Sequence, residues 1–371
     1  MRIALLDPPS YSLAYDHHLA TALASRGHDV DLVTSPFALG EPPSPDGYRR
    51  SEVFLPLSGR LLRRFPRSAI RVPLKAVEYG PSVVRLLVHV LRARPDIVHV
   101  QWLPLRRRDL VWARRLPRPR LLTAHNVIPH VGDTDEAERR AIYATFDAVV
   151  VHTRAGVEHL RRFGVPDERI ARIPHGTFGA PPASAISPPT GRNLLFFGLI
   201  RRYKGLDTLV RALAEVPDAT LVVAGDPLDD SIDAVRALAV ALGVDDRIDW
   251  RLGYLPPEDV EALMRRATIT VFPYRGGESA SGALATALGH GRPAVVTEPL
   301  GEAVRDYEAG KVVPPEDPHA LADAIRALLD PVELARAYEG AARAREGLSW
   351  DAIAEAHERL YADLLARVSA G

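Results

Sequence analysis

Short apolar runs rich in β-branched residues alternate with amphipathic helical patterns along almost the whole chain. This alternation limits the possible folds more than any other feature. Strands of a parallel sheet have this continuous apolar character because helices cover both faces of the sheet. The sequence therefore predicts an α/β protein made of two doubly wound, Rossmann-like domains that face each other across a cleft. The predicted strands are Ile3–Leu6, Asp29–Thr34, Ile97–Val100, Arg120–Thr123 and Ala148–Val151, then Asn193–Phe197, Thr220–Ala224, Arg247–Arg251, Ile269–Phe272 and Ala294–Thr297.

A segment rich in proline and small residues separates the two series of strands. It reads GAPPASAISPPTGR at Gly179–Arg192, a composition that disfavours both helix and packed strand. We therefore predict a first domain over residues 1–180 and a second over residues 181–348. Helical patterns follow at Pro318–Leu329 and Glu333–Ala344, and residues 349–371 form one more, which we expect to pack back toward the first domain.

The composition of the 371-residue chain excludes several classes of protein. There is no cysteine, and therefore no disulfide framework, no cysteine-based zinc site and no cysteine nucleophile. Aromatic residues make up only 6% and are not interleaved with the basic residues, which argues against nucleic acid as a partner. The start lacks the features of a signal peptide, and no apolar run approaches the roughly 20 residues of a membrane-spanning helix. We therefore expect a cytoplasmic protein.

Charge is unevenly distributed although the formal net charge is zero. Residues 1–185 contain 27 Lys and Arg against 18 Asp and Glu, so the first half is basic and the second half is acidic by the same amount. A basic patch mixed with apolar residues begins RLLRRF at Arg60 and continues to Arg67 and Arg71. Such a patch could lie on an anionic membrane at the inner face of the cell. A solvated helix face in an arginine-rich chain explains the same residues.

The segment FFGLIRRYKGLDTLVRAL, from Phe196 to Leu213, combines a strand end, a basic loop and a helix start. The predicted strand ends at Phe197 and Gly198 follows it, and Arg201, Arg202 and Lys204 come next, before the helix. Cations beside a helix N-terminus suit a diphosphate, because free amide groups and guanidinium donors match phosphate oxygens. An ordinary solvated basic loop is the alternative reading.

A second glycine- and serine-rich loop occurs in VFPYRGGESASGALATALGHGRPAVVT, from Val271 to Thr297. It follows another predicted strand and leads into a helix that opens near Ser281 and Gly282. Such residues let backbone amides approach an anion, with the helix dipole behind them. A simple helix cap at Ser279 or Ser281 would explain one serine, but not the whole loop.

The third segment, LLTAHNVIPH, places His125 and Asn126 at the carboxyl end of a strand. Ligands of doubly wound sheets bind at that end. A single histidine is more often structural than catalytic. His99 and His175, which occur near the ends of other strands, are interpreted as packing or capping residues.

Taken together, these segments resemble the GT-B glycosyltransferases of family 4, which are retaining transferases that use nucleotide sugars. The resemblance extends over nearly the whole chain, and the motifs occur in the family's order and spacing. They include RGHDVDLVT, DIVHVQW, TAHNVIPH, DAVVVHT, ARIPHGTF, FFGLIRRYKGLDTLVRAL, LVVAGD, LGYLPPEDV, PYRGGESASGALATALGHGRPAVVT and KVVPPEDPHALADAI.

The resemblance implies roles for individual residues. Arg201 and Lys204 are expected to bind the donor diphosphate. The family's arginine more usually follows the glycine directly, where this chain has Leu199, so we assign that role to Arg201 and keep Arg202 as the second candidate. His125, and Asn126 beside it, are expected to approach the donor sugar near the site of transfer. The remaining expected donor contacts are Gly198 and the loop Glu278, Ser279, Ala280, Ser281, Gly282 and Ala283 for the phosphates, and Gly253 and Tyr254 for the nucleobase.

Two departures from the family pattern affect the sugar and acceptor sites. A pair of glutamates that is common in the family aligns with Ser279 and Thr286, although Glu278 is adjacent to the first position. The glycine pair that many members have after the first strand is also missing. Pro9, Ser10 and Tyr11 occupy that loop and are our candidates for acceptor contacts.

The resemblance implies transfer of a hexose-type sugar from a UDP- or GDP-sugar to a hydroxyl acceptor with retention of configuration. We expect no metal ion and no cofactor beyond the nucleotide-sugar substrate. The acceptor could be a soluble sugar, a glycolipid or a natural product, and the oligomeric state is open. Two alternatives remain: a sugar-nucleotide epimerase of the same fold, and a non-catalytic scaffold that still binds nucleotide.

Overall fold

The computed structural model describes residues 1–37, 41–64, 70–125, 127, 135–179, 189–229, 231–276 and 280–370. The chain divides into two compact units. Of the described residues, the first contains those from Met1 to Val127, those from Asp135 to Pro174 and the C-terminal segment from Trp350 onward. The second runs from His175 to Ser349.

The first unit is a seven-stranded parallel sheet covered by helices. Its strands are β1 (Arg2–Asp7), β2 (Asp29–Thr34), β3 (Arg49–Glu52), β4 (Ile97–Val100), β5 (Arg120–Thr123), β6 (Ala148–Val151) and β7 (Ile170–Arg172). Its first six helices are α1 (Leu13–Ser25), α2 (Pro56–Arg64), α3 (Arg71–Ala93), α4 (Leu110–Ala113), α5 (Glu136–Thr145) and α6 (Arg154–Arg162). The strand order is β3-β2-β1-β4-β5-β6-β7, and every pairing is parallel.

The second unit repeats this architecture with six parallel strands in the order β10-β9-β8-β11-β12-β13. The strands are β8 (Asn193–Phe197), β9 (Thr220–Gly225), β10 (Ile248–Leu252), β11 (Ile269–Phe272), β12 (Ala294–Thr297) and β13 (Gly310–Val313). The helices are α7 (Leu206–Ala214), α8 (Ser231–Ala241), α9 (Pro257–Arg266), α10 (Gly282–Gly289), α11 (Gly301–Tyr307), α12 (Pro318–Leu328) and α13 (Pro331–Gly347). The predicted α/β class is therefore confirmed.

The C-terminal segment forms one helix, α14 (Trp350–Ala370), which belongs to the first unit. Its Tyr361 is fully buried, and the tyrosine hydroxyl lies 2.7 Å from Nδ1 of His99 on β4. Arg26, which follows α1, forms ion pairs with Asp351 and Glu358 of the same helix. The first unit is thus built from both ends of the chain.

Each unit has its own apolar core, which explains why each folds as a separate layer structure. In the first unit, Leu6, Val98 and Val149 of the central strands are buried together with side chains of α3 and α6. In the second, Leu194 and Val271 lie in a cluster with residues of α7, α8 and α12. Burial on both faces accounts for the continuous apolar runs that the sequence shows.

Three strands were not predicted from the sequence, and all three lie at the edges of the sheets. β3 and β7 border the first sheet and β13 borders the second. An edge strand is partly exposed, so it tends to be short and polar, and RRSE at Arg49–Glu52 has no apolar run to detect. Among the predicted strands, β10 begins and ends one residue later than expected.

The division between the units falls earlier than the predicted boundary at residue 180. Residues 175–179 join the second unit, because the amide groups of Thr177 and Phe178 donate to the carbonyls of Leu348 and Ala285. Residues 180–188 of the predicted linker lie outside the described part of the chain.

Candidate functional site

Both sheets reverse their strand order beside their first strand. β1 lies between β2 and β4, and β8 lies between β9 and β11. In a doubly wound sheet, such a switch point opens a crevice at the carboxyl ends of the strands, where ligands bind. The loops after β1 and β4, and those after β8 and β11, are therefore the first places to look for a site.

Three glycines end neighbouring strands of the second sheet. Gly198, Gly225 and Gly253 follow or end β8, β9 and β10, and their φ angles are +112°, +150° and +116°. A Cβ on Gly225 would lie 2.0 Å from the carbonyl oxygen of Gly198, so only glycine fits there. The amide of Gly253 donates to the carbonyl of Gly225 at 2.9 Å. The three positions form a floor of bare backbone that a ligand can approach closely.

Lys204 has the electrostatic environment of an anion-binding residue. Its side chain is 8% exposed, and its ammonium lies 5.2 Å from the centre of the Tyr274 ring. Burial, and then the nearby charge of Arg201, lower the pKa of Lys204 to about 8. Within the described residues, no carboxylate forms an ion pair with this ammonium. A buried charge normally has a partner, so this one is suited to receive an anionic ligand.

The N-terminus of α10 lies beside the same lysine. A Cβ on Gly198 would be 3.2 Å from the Cβ of Ala283 and 3.3 Å from Nζ of Lys204, so these groups are neighbours. Ser281 caps the helix by accepting from the amide of Leu284, and its hydroxyl is 3.0 Å from that of Tyr274. Gly282 and Ala283 are in the first turn, where amide groups have no partner within the helix.

Arg201 and Arg202 line a cavity of about 260 Å³ next to this position, together with Leu206, Asp207, Ala234, Val235 and Arg275. Both arginines are exposed, and the backbone amide of Arg202 donates to a carboxylate oxygen of Asp229 at 2.8 Å. The side chains are therefore available at the surface while the loop backbone is anchored.

Arg275 is a site residue that the sequence reasoning did not single out. Its amide donates to the carbonyl of Tyr203 at 2.8 Å, and its guanidinium contacts Asp207 and Glu316. It thereby joins the loop after β11 to the loop after β8. Its place in PYRGG was the only sequence signal, and that signal does not distinguish a structural brace from a ligand contact.

Three predicted donor contacts, Asn126, Glu278 and Ser279, lie outside the described residues. Ala280 comes directly before the Ser281 cap. Thr286, the second position of the missing glutamate pair, donates its hydroxyl to the carbonyl of Gly282 within α10. Tyr254 is 84% exposed and follows Gly253, so its ring is accessible beside the glycine floor.

In the first unit, His125 follows β5 and has aromatic and polar neighbours. Its ring stacks on Trp102 with centroids 5.2 Å apart, and Tyr15 packs edge-on against it at 4.9 Å. Nε2 lies 2.9 Å from Oε1 of Gln101, and Nδ1 lies 3.2 Å from Nε2 of His152. Burial lowers the pKa of His152 to about 4, so it is neutral at physiological pH. These contacts hold the imidazole in a fixed orientation.

Pro9, Ser10 and Tyr11 lie in the loop between β1 and α1, as predicted from the sequence. Ser10 is buried, adopts φ +56°, and donates its hydroxyl to the carbonyl of Ser35 at 2.9 Å. Tyr11 is 68% exposed and packs edge-on against Trp102. Of the three side chains, that of Tyr11 is the most accessible to an acceptor.

Two of the histidines interpreted as packing or capping residues have structural contacts. His99 is fully buried, and its ring nitrogens lie 2.7 Å from Tyr361 and 2.7 Å from Thr123. Nδ1 of His175 lies 2.6 Å from the carbonyl of Gly176. Over the described ranges, no group of three or more His, Asp or Glu side chains could hold a metal ion.

Comparison with protein families shows the family to which the chain belongs. The model described as Glycosyltransferase Family 4 matches residues 15–177, and the model described as Glycosyl transferases group 1 matches residues 191–331. The chain belongs to glycosyltransferase family 4. The transferase thus carries family signatures in both of its units.

Curated relatives are similar over nearly their full length. The D-inositol 3-phosphate glycosyltransferase of Acidothermus cellulolyticus is 29% identical over 95% of this chain and 85% of its own length. The glycogen synthase of Mycobacterium tuberculosis is 27% identical over 93% of this chain and 89% of its own. The transferase is therefore an enzyme, similar to bacterial glycosyltransferases.

Solved structures show the same fold. Sucrose-phosphate synthase from Thermosynechococcus elongatus superposes with a TM-score of 0.75 at 23% identity, covering 99% of this chain and all of that one. HepE of Anabaena, in complex with UDP and glucose, superposes with a TM-score of 0.72 at 17% identity, covering 98% and 100%. The transferase therefore has the GT-B fold of two Rossmann-like domains.

Proposed function

We propose that this glycosyltransferase moves a hexose-type sugar from a UDP- or GDP-sugar to a hydroxyl acceptor, with retention of configuration and without a metal ion. The observation that carries the proposal is the buried ammonium of Lys204 at the switch point of the second sheet. The nucleotide-sugar donor is the substrate, and no further cofactor takes part.

The proposed role of Lys204 follows from where charge develops. As the glycosidic bond breaks, the sugar becomes oxocarbenium-like and negative charge grows on the leaving diphosphate. Lys204, Arg201 and the amide groups of Gly282 and Ala283 would stabilise that charge. Arg202 would supply a further cation at the rim. Because the buried Lys204 and the helix amides are in place before the reaction, they need little reorganisation in the transition state.

The proposed donor class is supported by the relatives. HepE of Anabaena has been solved with UDP and with UDP-glucose. The three glycines at Gly198, Gly225 and Gly253 suit a nucleotide because a ligand can lie against backbone without meeting side chains. Tyr254 would then cover the base, and His125 would approach the sugar.

The test of this proposal is a thermal-shift panel of nucleoside diphosphates and their sugars, read for the wild type and for Lys204→Ala. We expect one nucleotide to raise the melting temperature of the wild type and to have little effect on the variant. Lys311→Ala is the matched control, since Lys311 lies in the same unit and pairs with Glu333 at 2.6 Å. With the true acceptor, Lys204→Ala should cost about 2–4 kcal/mol of transition-state stabilisation. Near wild-type turnover in Lys204→Ala would refute the assignment.

The metal independence has its own test. Turnover measured after dialysis against EDTA should equal turnover with added Mg²⁺ or Mn²⁺, because protein cations and helix amides are proposed to neutralise the diphosphate. A loss of activity in EDTA that Mg²⁺ restores would overturn this part of the proposal.

We propose further that the first unit contacts an anionic membrane through α3. One face of this helix exposes Val77, Val84, Val88 and Leu91, which are 78%, 62%, 39% and 52% accessible. Their spacing of seven, four and three residues places them on a single stripe. Among the described residues, no helix is long and apolar enough to cross a bilayer, so the contact would be peripheral.

The charges around this stripe favour lipid over a second copy of the chain. Arg85 and Arg92 are exposed on α3 beside the stripe, and Arg60 is exposed on α2. The one acidic residue of α3, Glu78, is buried and accepts from the amides of Leu57 and Ser58 at the start of α2. A second copy would bring arginine against arginine, whereas anionic headgroups complement them.

Sedimentation with vesicles tests the membrane contact. Vesicles containing phosphatidylglycerol should retain the wild type and release Val84→Glu, and high salt should weaken retention. Val111→Glu is the matched control, because Val111 is 62% exposed on α4. Equal sedimentation of the wild type and Val84→Glu, or a dimer that Val84→Glu disrupts, would contradict the proposal.

A further inference from the structure

Two carboxyl side chains are buried together at the switch point of the first sheet. Asp7 ends β1 and Asp16 lies in the first turn of α1, and neither is accessible to solvent. The hydroxyl of Ser12 lies 3.0 Å from Oδ2 of Asp16 and 3.5 Å from Oδ2 of Asp7, so the two carboxyls are neighbours, and Oδ1 of each is buried without a hydrogen-bond donor among the described residues. Two neighbouring charges in a buried site repel each other, so one of the two carboxyls holds a proton and can donate it to the other.

The proton belongs on Asp16. Burial, and then the charge of Asp7, raise the pKa of Asp16 well above its ordinary value. Asp7 is better placed to carry the charge, because the amide of Ser12 donates to its Oδ2 at 3.0 Å. Asp16 therefore donates to Asp7, and its own Oδ2 accepts from the hydroxyl of Ser12 at 3.0 Å.

A short path leads from this pair to His125. The indole Nε1 of Trp102 donates to the hydroxyl of Ser12 at 2.9 Å. The indole ring of Trp102 in turn stacks on the imidazole of His125. The two rings are nearly parallel, at 13°. Ser12 is thus placed between the carboxyl pair and the aromatic pair, with its single proton given to Asp16.

We propose that Asp7 and Asp16, sharing one proton, act as positioning residues that hold Ser12, Trp102 and His125 in place for glycosyl transfer. The role of His125 rests on the proposed function, but the coupling from the carboxyl pair to Trp102 does not. The pair also anchors the loop that contains Pro9, Ser10 and Tyr11, since Asp7 accepts from the amide of Ser12 at the end of that loop.

Loss of the shared proton would break this arrangement. Two adjacent carboxylates in a buried site repel each other, and the repulsion is weakly screened because water is excluded. Movement of the Asp16 carboxyl removes the acceptor of the Ser12 hydroxyl, which can then reorient away from Trp102. The proposal predicts that the orientation of Trp102 depends on pH and that Asp16→Asn removes this dependence.

Other titratable groups surround the pair and need to be separated from it. Tyr15 lies next to Asp16 on α1, and Tyr48 precedes β3; burial raises the pKa of both, and ionisation of Asp16 would raise them further. His17 lies 2.9 Å from the Tyr48 hydroxyl, and burial lowers the pKa of His17. The positive charge of Arg50, which lies on β3, contributes a lowering of the pKa of both Tyr48 and His17. A Tyr48→Phe variant separates these contributions.

The first test follows the indole N–H signal of Trp102 by ¹⁵N–¹H NMR during a pH titration. The chain has four tryptophans, so Trp102→Phe assigns the signal. In the wild type and in Tyr48→Phe we expect the signal to shift as pH rises through the titration of the pair. In Asp16→Asn, which keeps a neutral hydrogen-bonding group, it should stay constant.

Asp31→Asn is the matched control for this titration. Asp31 is also a buried acid of the first unit, but it pairs with His89 at 2.8 Å and is not in the path to Trp102. It should titrate like the wild type. A wild-type signal that does not follow pH, or one that follows it equally in Asp16→Asn, would overturn the proposal.

The second test measures nucleotide release from the donor with water as the acceptor. The wild type should lose activity at alkaline pH, and Asp16→Asn should keep it, whereas Ser12→Ala should be slower by roughly tenfold or more at every pH because His125 loses its support. An alkaline loss shared by Asp16→Asn contradicts the positioning role. Absence of nucleotide release from the wild type counts against the proposed function, while the indole titration still decides the coupling.

Discussion

At the scale of single residues, the clearest feature is a set of ionisable groups whose burial changes their protonation. Lys204 keeps its charge at neutral pH but has a pKa of about 8, and Asp16 keeps a proton that a solvent-exposed aspartate would lose. Both effects have burial as their first cause. Residues with strongly shifted pKa values are concentrated at functional sites.

The lowered pKa of Lys204 predicts how nucleotide affinity depends on pH. In the free enzyme the ammonium deprotonates above about pH 8, while a bound diphosphate restores the charge and raises the pKa again. Binding therefore takes up a proton at alkaline pH, and affinity falls as pH rises. Between pH 7 and pH 9 we expect the dissociation constant to increase about tenfold.

Isothermal titration at several pH values in two buffers measures this change and the proton uptake together. Lys204→Arg should bind with little pH dependence over the same range, because a guanidinium remains charged. If the wild type shows the same flat profile, the ammonium of Lys204 does not contact the diphosphate.

At the scale of elements, the loop between β8 and α7 depends on one backbone conformation. Gly205 has φ +68°, and a Cβ there would lie 2.0 Å from the carbonyl oxygen of Pro273. This close approach packs the Lys204 loop against the loop after β11. Gly205→Ala should therefore lower the free energy of unfolding by about 3 kcal/mol or more and weaken nucleotide binding.

Gly243 offers a matched control for that substitution. Its φ is +67°, nearly the same, but a Cβ there would meet nothing within 4 Å. Gly243→Ala should cost only the backbone term, about 1–2 kcal/mol, and should leave nucleotide binding unchanged. Urea unfolding and titration of both variants separate strain from collision, and equal losses in the two variants would disprove the role of the Pro273 contact.

Much of the architecture could be predicted because its elements carry strong local signals. The strand Ile97–Val100 is a buried apolar run, and its bounds in the structure are those predicted. Edge strands such as β3 lack that signal, since one side faces solvent. In the candidate site, the position of Lys204 could be predicted from a sequence motif. The contacts of Trp102 and Asp16 could not, because they depend on which strands become neighbours in the sheet. Such long-range pairing leaves no local pattern.

At the scale of the whole molecule, two units with separate cores predict two unfolding transitions. Leu6 and Val149 belong to the core of the first unit, and Leu194 and Val271 to that of the second. A ligand stabilises only the state to which it binds. The nucleotide should therefore raise the transition of the second unit, which contains Lys204, more than that of the first.

Tyr361→Phe should change the other transition. Its hydroxyl lies 2.7 Å from Nδ1 of His99, and both side chains are fully buried. Burial lowers the pKa of His99 well below its usual value, so the ring is neutral and needs one donor and one acceptor. Removing the hydroxyl leaves a buried nitrogen without its partner, at a cost of about 1–3 kcal/mol to the first unit.

Calorimetry of the wild type, Tyr361→Phe and the control Tyr254→Phe, each with and without nucleotide, assigns both transitions. Tyr254 is 84% exposed, so its hydroxyl contributes little to stability. Tyr361→Phe should lower the transition that the nucleotide raises least. If it lowers the nucleotide-sensitive transition instead, α14 stabilises the donor-binding unit, and the two ends of the chain do not form one cooperative body as proposed.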